Sequence, residues 1–122
     1  MITIDEAQEM LDGLALELPQ DFYMELNGGI SLLPERKLHP ERRADDLYIM
    51  GEYVHGRMGR YIVIYFGSFA ALYGNIPHRE FREKLKETLR HEFTHHLESL
   101  AGERGLEIRD EEDMERYYTE RR

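Results

Sequence analysis

In the stretch HREFREKLKETLRHEFTHHLESLAG, residues 78–102, Phe81, Leu85, Leu89, Phe93, Leu97 and Leu100 recur at nearly every fourth position. One stripe of a 3.6-residue period is therefore apolar, which predicts a long helix, with the turn signal Gly74-Asn75-Ile76-Pro77 before it and Gly102 as its stop. Inside it runs His91-Glu92-Phe93-Thr94-His95, the pattern H-E-x-x-H. Histidines four apart are about one turn apart, so their imidazoles sit above one another and can chelate one tetrahedral ion. Glu92 then lies beside the open coordination position. There it can take a proton from water attacking a carbonyl and pass it to the leaving amine. Imidazole and carboxylate ligands without thiolate suit Zn²⁺. A shuffled chain of this composition contains the pattern roughly 4% of the time, so its place in the middle of the helix, with Phe93 on the apolar stripe, adds to its weight.

Outward from that helix, Tyr61 to Phe66 is an almost unbroken β-favouring run, and Leu47 to Val54 is rich in Tyr, Ile and Val. With His55 to Arg60 between them they read as a β-hairpin, the second arm inside the sheet and the first at its edge. Pro34 to Asp46, with two prolines and many charges, reads as a solvated loop, and Ile30 to Leu33 as a short strand after the turn Asn27-Gly28-Gly29. Ala7, Met10, Leu11, Leu14 and Leu18 give an amphipathic helix from Thr3 to about Leu18, and Thr3 with Glu6 forms a capping-box pattern. Phe22 to Leu26 is ambiguous. A final short helix from about Asp110 to Arg121 has Asp110 as N-cap. The fold class expected is α+β, in one domain spanning residues 1–122.

The 122 residues carry 25 acidic side chains against 16 Lys and Arg, for a net charge of −9, and no Cys. Absence of Cys excludes disulfide frameworks, thiolate zinc fingers, iron–sulfur clusters and a cysteine nucleophile. The negative charge argues against nucleic acid or an anionic membrane as partner. No apolar run approaches a membrane span, and Met1 is followed by an acidic amphipathic stretch, so a soluble cytoplasmic protein is expected.

The stretch Gly59-Arg60-Tyr61-Ile62-Val63-Ile64-Tyr65-Phe66-Gly67-Ser68-Phe69, then Leu85 to Leu89 and His91-Glu92-Phe93-Thr94-His95-His96, resembles the small bacterial minimal zincins, a family of zinc metallopeptidases. The similarity extends more loosely to the first helix and to Leu47-Tyr48-Ile49-Met50-Gly51-Glu52-Tyr53. It implies a zincin-like fold, with an N-terminal helix and a small mixed sheet against the H-E-x-x-H helix. It further implies zinc ligation by His91 and His95 and the general-base role for Glu92. Members of that family commonly have a Gly soon after the second His, then acidic residues of which one is the third ligand. Leu97 to Ala101 stand at those positions, and the acidic group Asp110-Glu111-Glu112-Asp113 follows about ten residues later.

Asp110 is the expected third ligand, with Glu111 its nearest rival and Glu98 a more distant one. From His95 the helix runs about 9 Å to Ala101, and residues 102–109 can span up to about 26 Å, so the chain can return to the ion. Glu98 lies about 10 Å along the axis from His91, and three ligands in line on a straight helix cannot surround a tetrahedral ion. It is read as solvated or as supporting a ligand. His96 stands about 100° around the helix from His95 and is read as a surface or supporting histidine. Nothing selects one of the eight tyrosines as a catalytic group. The function expected is a zinc-dependent hydrolase, most simply a metallopeptidase acting on a peptide or protein substrate. The alternative is a metal-stabilised zincin-like binding or regulatory module, to which the small size lends weight. Oligomeric state is left open.

Overall fold

Thr3 opens the first helix, α1 (Ile4–Ala15), with the expected reciprocal cap: its hydroxyl accepts from Glu6 N, and Glu6 returns a carboxylate to Thr3 N. The computed structural model describes residues 1–40 and 47–104. Ala7, Leu11 and Leu14 face inward from α1, and Leu18 follows them into the core. The ambiguous stretch is a short 3-10 turn, Gln20–Glu25. After it come β1 (Ile30–Leu33), β2 (Lys37–Leu38), β3 (Tyr48–Ile49), β4 (Gly51–Gly56) and β5 (Gly59–Tyr65), then the helices α2 (Phe66–Tyr73) and α3 (His78–Arg104).

The main sheet has the order β1-β5-β4, with β1 parallel and β4 antiparallel to the central β5. The hairpin therefore has its apolar second arm inside and its first arm at an edge, as the sequence implies. Its turn is tight: Gly56 pairs with Gly59, which has φ +98°, and a Cβ there would fall 2.5 Å from the Asn27 side chain. Ile62 and Ile64 point into one core with Leu11, Leu14, Phe69, Phe81, Leu85, Leu89 and Phe93. Thus α1 and α3 cover one face of the sheet, and the 3.6 and 2.0 periods meet in a single apolar layer.

Three expectations need correction. The segment read as a solvated loop contains β2, which pairs antiparallel with β3 and is pinned where Lys37 N donates to the Ser68 hydroxyl at 3.0 Å. Residues 66–73 form α2, a helix that the sequence reading did not contain. Gly102 does not stop α3, which continues to Arg104; Gly in a helix interior is only about 1 kcal/mol worse than Ala, and packing upstream outweighs it. The expected last helix, with Asp110 and Glu111, lies outside the described residues. No helix among the described residues is long and apolar enough to cross a membrane. The arrangement is α+β, with small sheets against one long helix.

Candidate metal centre

Because Phe81, Leu85, Leu89 and Phe93 anchor one side of α3 in the core, the position of every other residue on that helix is fixed. His91 and His95 fall on the outer side and are exposed, whereas Glu92, between them and the core stripe, is only 8% exposed. His91 Nε2 and His95 Nε2 approach to 3.1 Å, with their rings nearly perpendicular. Two nitrogens on one tetrahedral zinc, each at about 2.0–2.1 Å, are separated by about 3.3–3.4 Å, so the pair converges with close to the spacing an ion demands. The outer nitrogen of His95, Nδ1, faces Glu98 Oε2 at 3.6 Å. Glu98 therefore stands behind the His95 ring and does not join the converging nitrogens.

Strand β4 runs alongside α3 in the same direction. A Cβ on Gly51 would meet Thr88, Glu92 accepts a hydrogen bond from the Tyr53 backbone N–H, and His55 Nδ1 lies 3.3 Å from the Ser99 hydroxyl. Residues 51, 53 and 55 thus match residues 88, 92 and 99 in rising order. Burial pushes the Glu92 carboxyl above the usual range, and the nearby His91 and His95 and the Tyr53 N–H pull partly the other way. A carboxyl held nearer the point of proton exchange at neutral pH suits a general base. Above this line, His91 and Glu92 border an open groove of about 340 Å³, walled by His39, Tyr48, Ile49, Met50, Gly51, Glu87 and Thr88.

His96 is not at the surface. It is fully buried, with Nε2 3.0 Å from the Phe22 carbonyl and Nδ1 3.1 Å from the Tyr53 hydroxyl, so both nitrogens are used within the protein and neither serves as a ligand. Desolvation depresses its pKa, in keeping with a neutral ring. The structure thus brings His91, His95 and Glu92 together. Among the described residues no group of three or more His, Asp or Glu side chains is arranged to hold a metal. The expected third ligand Asp110 and its rival Glu111 lie outside them. Tyr53 was missed among the tyrosines; its only sequence signal is its place at the middle of the alternating set Gly51, Tyr53, His55.

No family model matches the chain, and no curated protein matches it. Among solved structures, a conserved hypothetical protein from Thermo thermophilus is similar to it at 32% identity, over 83% of this chain and 99% of that one, with a TM-score of 0.69.

Proposed function

The chain belongs to the same family as this Thermo thermophilus protein, and we propose from the geometry around α3 that it is a zinc-dependent metallopeptidase of the zincin type. The observation that carries this reading is the 3.1 Å convergence of His91 Nε2 and His95 Nε2, with Glu92 turned inward beside them. The donor set is all imidazole and carboxylate, which fits Zn²⁺. His91 and His95 would hold the ion, and Asp110 would complete the ligand set, with Glu111 its nearest rival. When bound, zinc supplies Lewis acidity that polarises a scissile carbonyl and acidifies water.

The chain's own groups do the rest. Glu92, whose carboxyl accepts from the Tyr53 N–H, receives the proton of the attacking water. The same carboxyl then delivers that proton to the departing amine nitrogen, so the base regenerates within one turnover. An extended peptide lies in the groove between the β3–β4 corner and α3, where Tyr48 to Gly51 present backbone and apolar surface to it.

The groove is small and open for a specificity cleft, and that observation favours a second reading, a metal-stabilised binding or regulatory module. One pair of experiments separates the two. Zinc titration of the wild type, His91→Ala and His95→Ala should give stoichiometric binding in the first and most of it lost in the other two. Unchanged stoichiometry in both variants overturns the metal site. In a broad peptide-cleavage screen of the zinc-loaded protein, Glu92→Gln should keep its metal and lose about 10²-fold or more in rate. Zinc bound with no peptide cut by the wild type favours the module.

A further inference from the structure

Tyr53 is gripped by α3 at two points. Its backbone is turned away from β5: Ile62, directly opposite in the register, sends its N–H to Gly29 on the other side, and Tyr65 N donates to Met50 O at 2.9 Å. The β4–β5 bonds therefore fall on the even-numbered residues of β4, and Gly51, Tyr53 and His55 direct their backbone groups outward, toward α3. At that edge the Tyr53 N–H finds the Glu92 carboxylate.

The side chain reaches the same helix one turn further on. A carbonyl oxygen only accepts, so His96 Nε2, 3.0 Å from Phe22 O, carries the ring proton and Nδ1 bears the lone pair. The Tyr53 hydroxyl, 3.1 Å away, donates to it. The His96 ring is fully buried and packed against both Tyr53 and Phe93, at centroid separations of 5.4 and 5.3 Å, so it cannot turn to offer its nitrogens elsewhere. The motif thus holds two interleaved pairs with the same spacing. His91 and His95 face outward and converge, while Glu92 and His96 face β4 and Tyr53.

We propose that Tyr53 is a positioning residue for Glu92: anchored through its hydroxyl by His96, it holds one carboxylate oxygen with its backbone N–H and leaves the other aimed toward His91 and His95. This deepens the peptidase reading and rests on it for the role of Glu92, but the grip itself is measurable without turnover. A free glutamate side chain samples several rotamers, and a base acts only in the one that reaches the reacting water. A role confined to packing would tie strand to helix without controlling that carboxylate.

The test is amide hydrogen exchange, followed by NMR, on the full chain loaded with Zn²⁺ alone. Residue 53 sits at the outward edge of β4, so removing its acceptor in Glu92→Ala should speed its exchange about tenfold, roughly the worth of one hydrogen bond. Tyr53→Phe and His96→Leu should speed the same amide several-fold while Ile62 and Ile64 keep their wild-type rates. His96→Gln, which retains a donor for Phe22 O and an acceptor for the Tyr53 hydroxyl, should restore slow exchange. Tyr53→Phe removes a single oxygen and serves even if His96→Leu does not fold. Wild-type exchange at residue 53 in Glu92→Ala or in Tyr53→Phe overturns the proposal, as does faster exchange spread equally over Ile62 and Ile64. A failed peptide screen would sink the peptidase reading and leave these rates unchanged.

Discussion

Glu98 Oε2 lies 3.6 Å from His95 Nδ1, on the side of the ring away from the nitrogen that converges with His91. A carboxylate behind a ligating imidazole favours the tautomer with its proton on Nδ1 and so leaves Nε2 free to bind a metal. Both side chains are about half exposed, at 44% and 53%, so the effect belongs at the lower end of the range for such partners. Glu98→Ala should weaken zinc binding about tenfold without removing it. Isothermal titration of zinc decides it, and a loss as complete as that of His95→Ala would make Glu98 a direct ligand.

The proposed third ligand can be tested in the same way. A lost N-cap at Asp110 would lower stability by about 1 kcal/mol and leave zinc affinity alone, whereas a lost ligand weakens affinity by orders of magnitude. Asp110→Ala should therefore titrate far more weakly than the wild type. If Glu111→Ala shows the large loss and Asp110→Ala does not, the ligand is the neighbouring carboxylate.

What was legible in the sequence is what short-range chemistry determines. The Thr3–Glu6 cap, the turn before Ile30 and the H-E-x-x-H pair each lie within one helical turn or one tight bend, and the structure reproduces them. Helix α2 was hidden because Phe66 to Tyr73 reads FGSFAALY, apolar on nearly every side, and shows no 3.6-residue contrast. β2 depends on partners far along the chain, the Tyr48–Ile49 strand and the Ser68 hydroxyl, which no local pattern announces. The burial of His96 is of this second kind. Its partners Tyr53 and Phe22 stand 43 and 74 residues away, so nothing local separates a surface histidine from a supporting one.

On the sheet face away from α3, the Tyr65 hydroxyl donates to Glu52 Oε1 at 3.1 Å, and the Lys37 ammonium bonds both groups. Burial raises the Tyr65 pKa, and the bond to Glu52 raises that of Lys37. For a raised group the sign is fixed: its stabilising share is complete below the unfolded value and declines as pH rises through the folded one. The unfolded phenol ionises near pH 10, at about the ordinary tyrosine value, so stability should decline from there upward. Urea midpoints of the wild type should fall more steeply above about pH 10 than those of Tyr65→Phe. Parallel curves would mean that Tyr65 has no share in the alkaline loss.

Gly51 controls how closely β4 approaches α3. A Cβ at that position would lie 2.9 Å from Thr88 Cγ2, 3.1 Å from Ile64 Cδ1 and 3.1 Å from Val63 O. Thr88 is one turn before Glu92, and Gly51 is two residues before Tyr53, so any outward shift of the strand here is felt where Tyr53 meets Glu92. Gly51→Ala should destabilise the protein by about 1–3 kcal/mol, the usual range for overpacking a tight contact. Thr88→Ser deletes the nearest of the three obstructing atoms and little else. The double variant should therefore recover part of the loss, and a double-mutant cycle by urea unfolding should show a favourable coupling of about 0.5 kcal/mol or more. Recovery stays partial because the Ile64 methyl and the Val63 carbonyl remain. Additive effects of the two substitutions would show that the strand yields elsewhere, and that the approach of β4 to α3 is not set at Gly51.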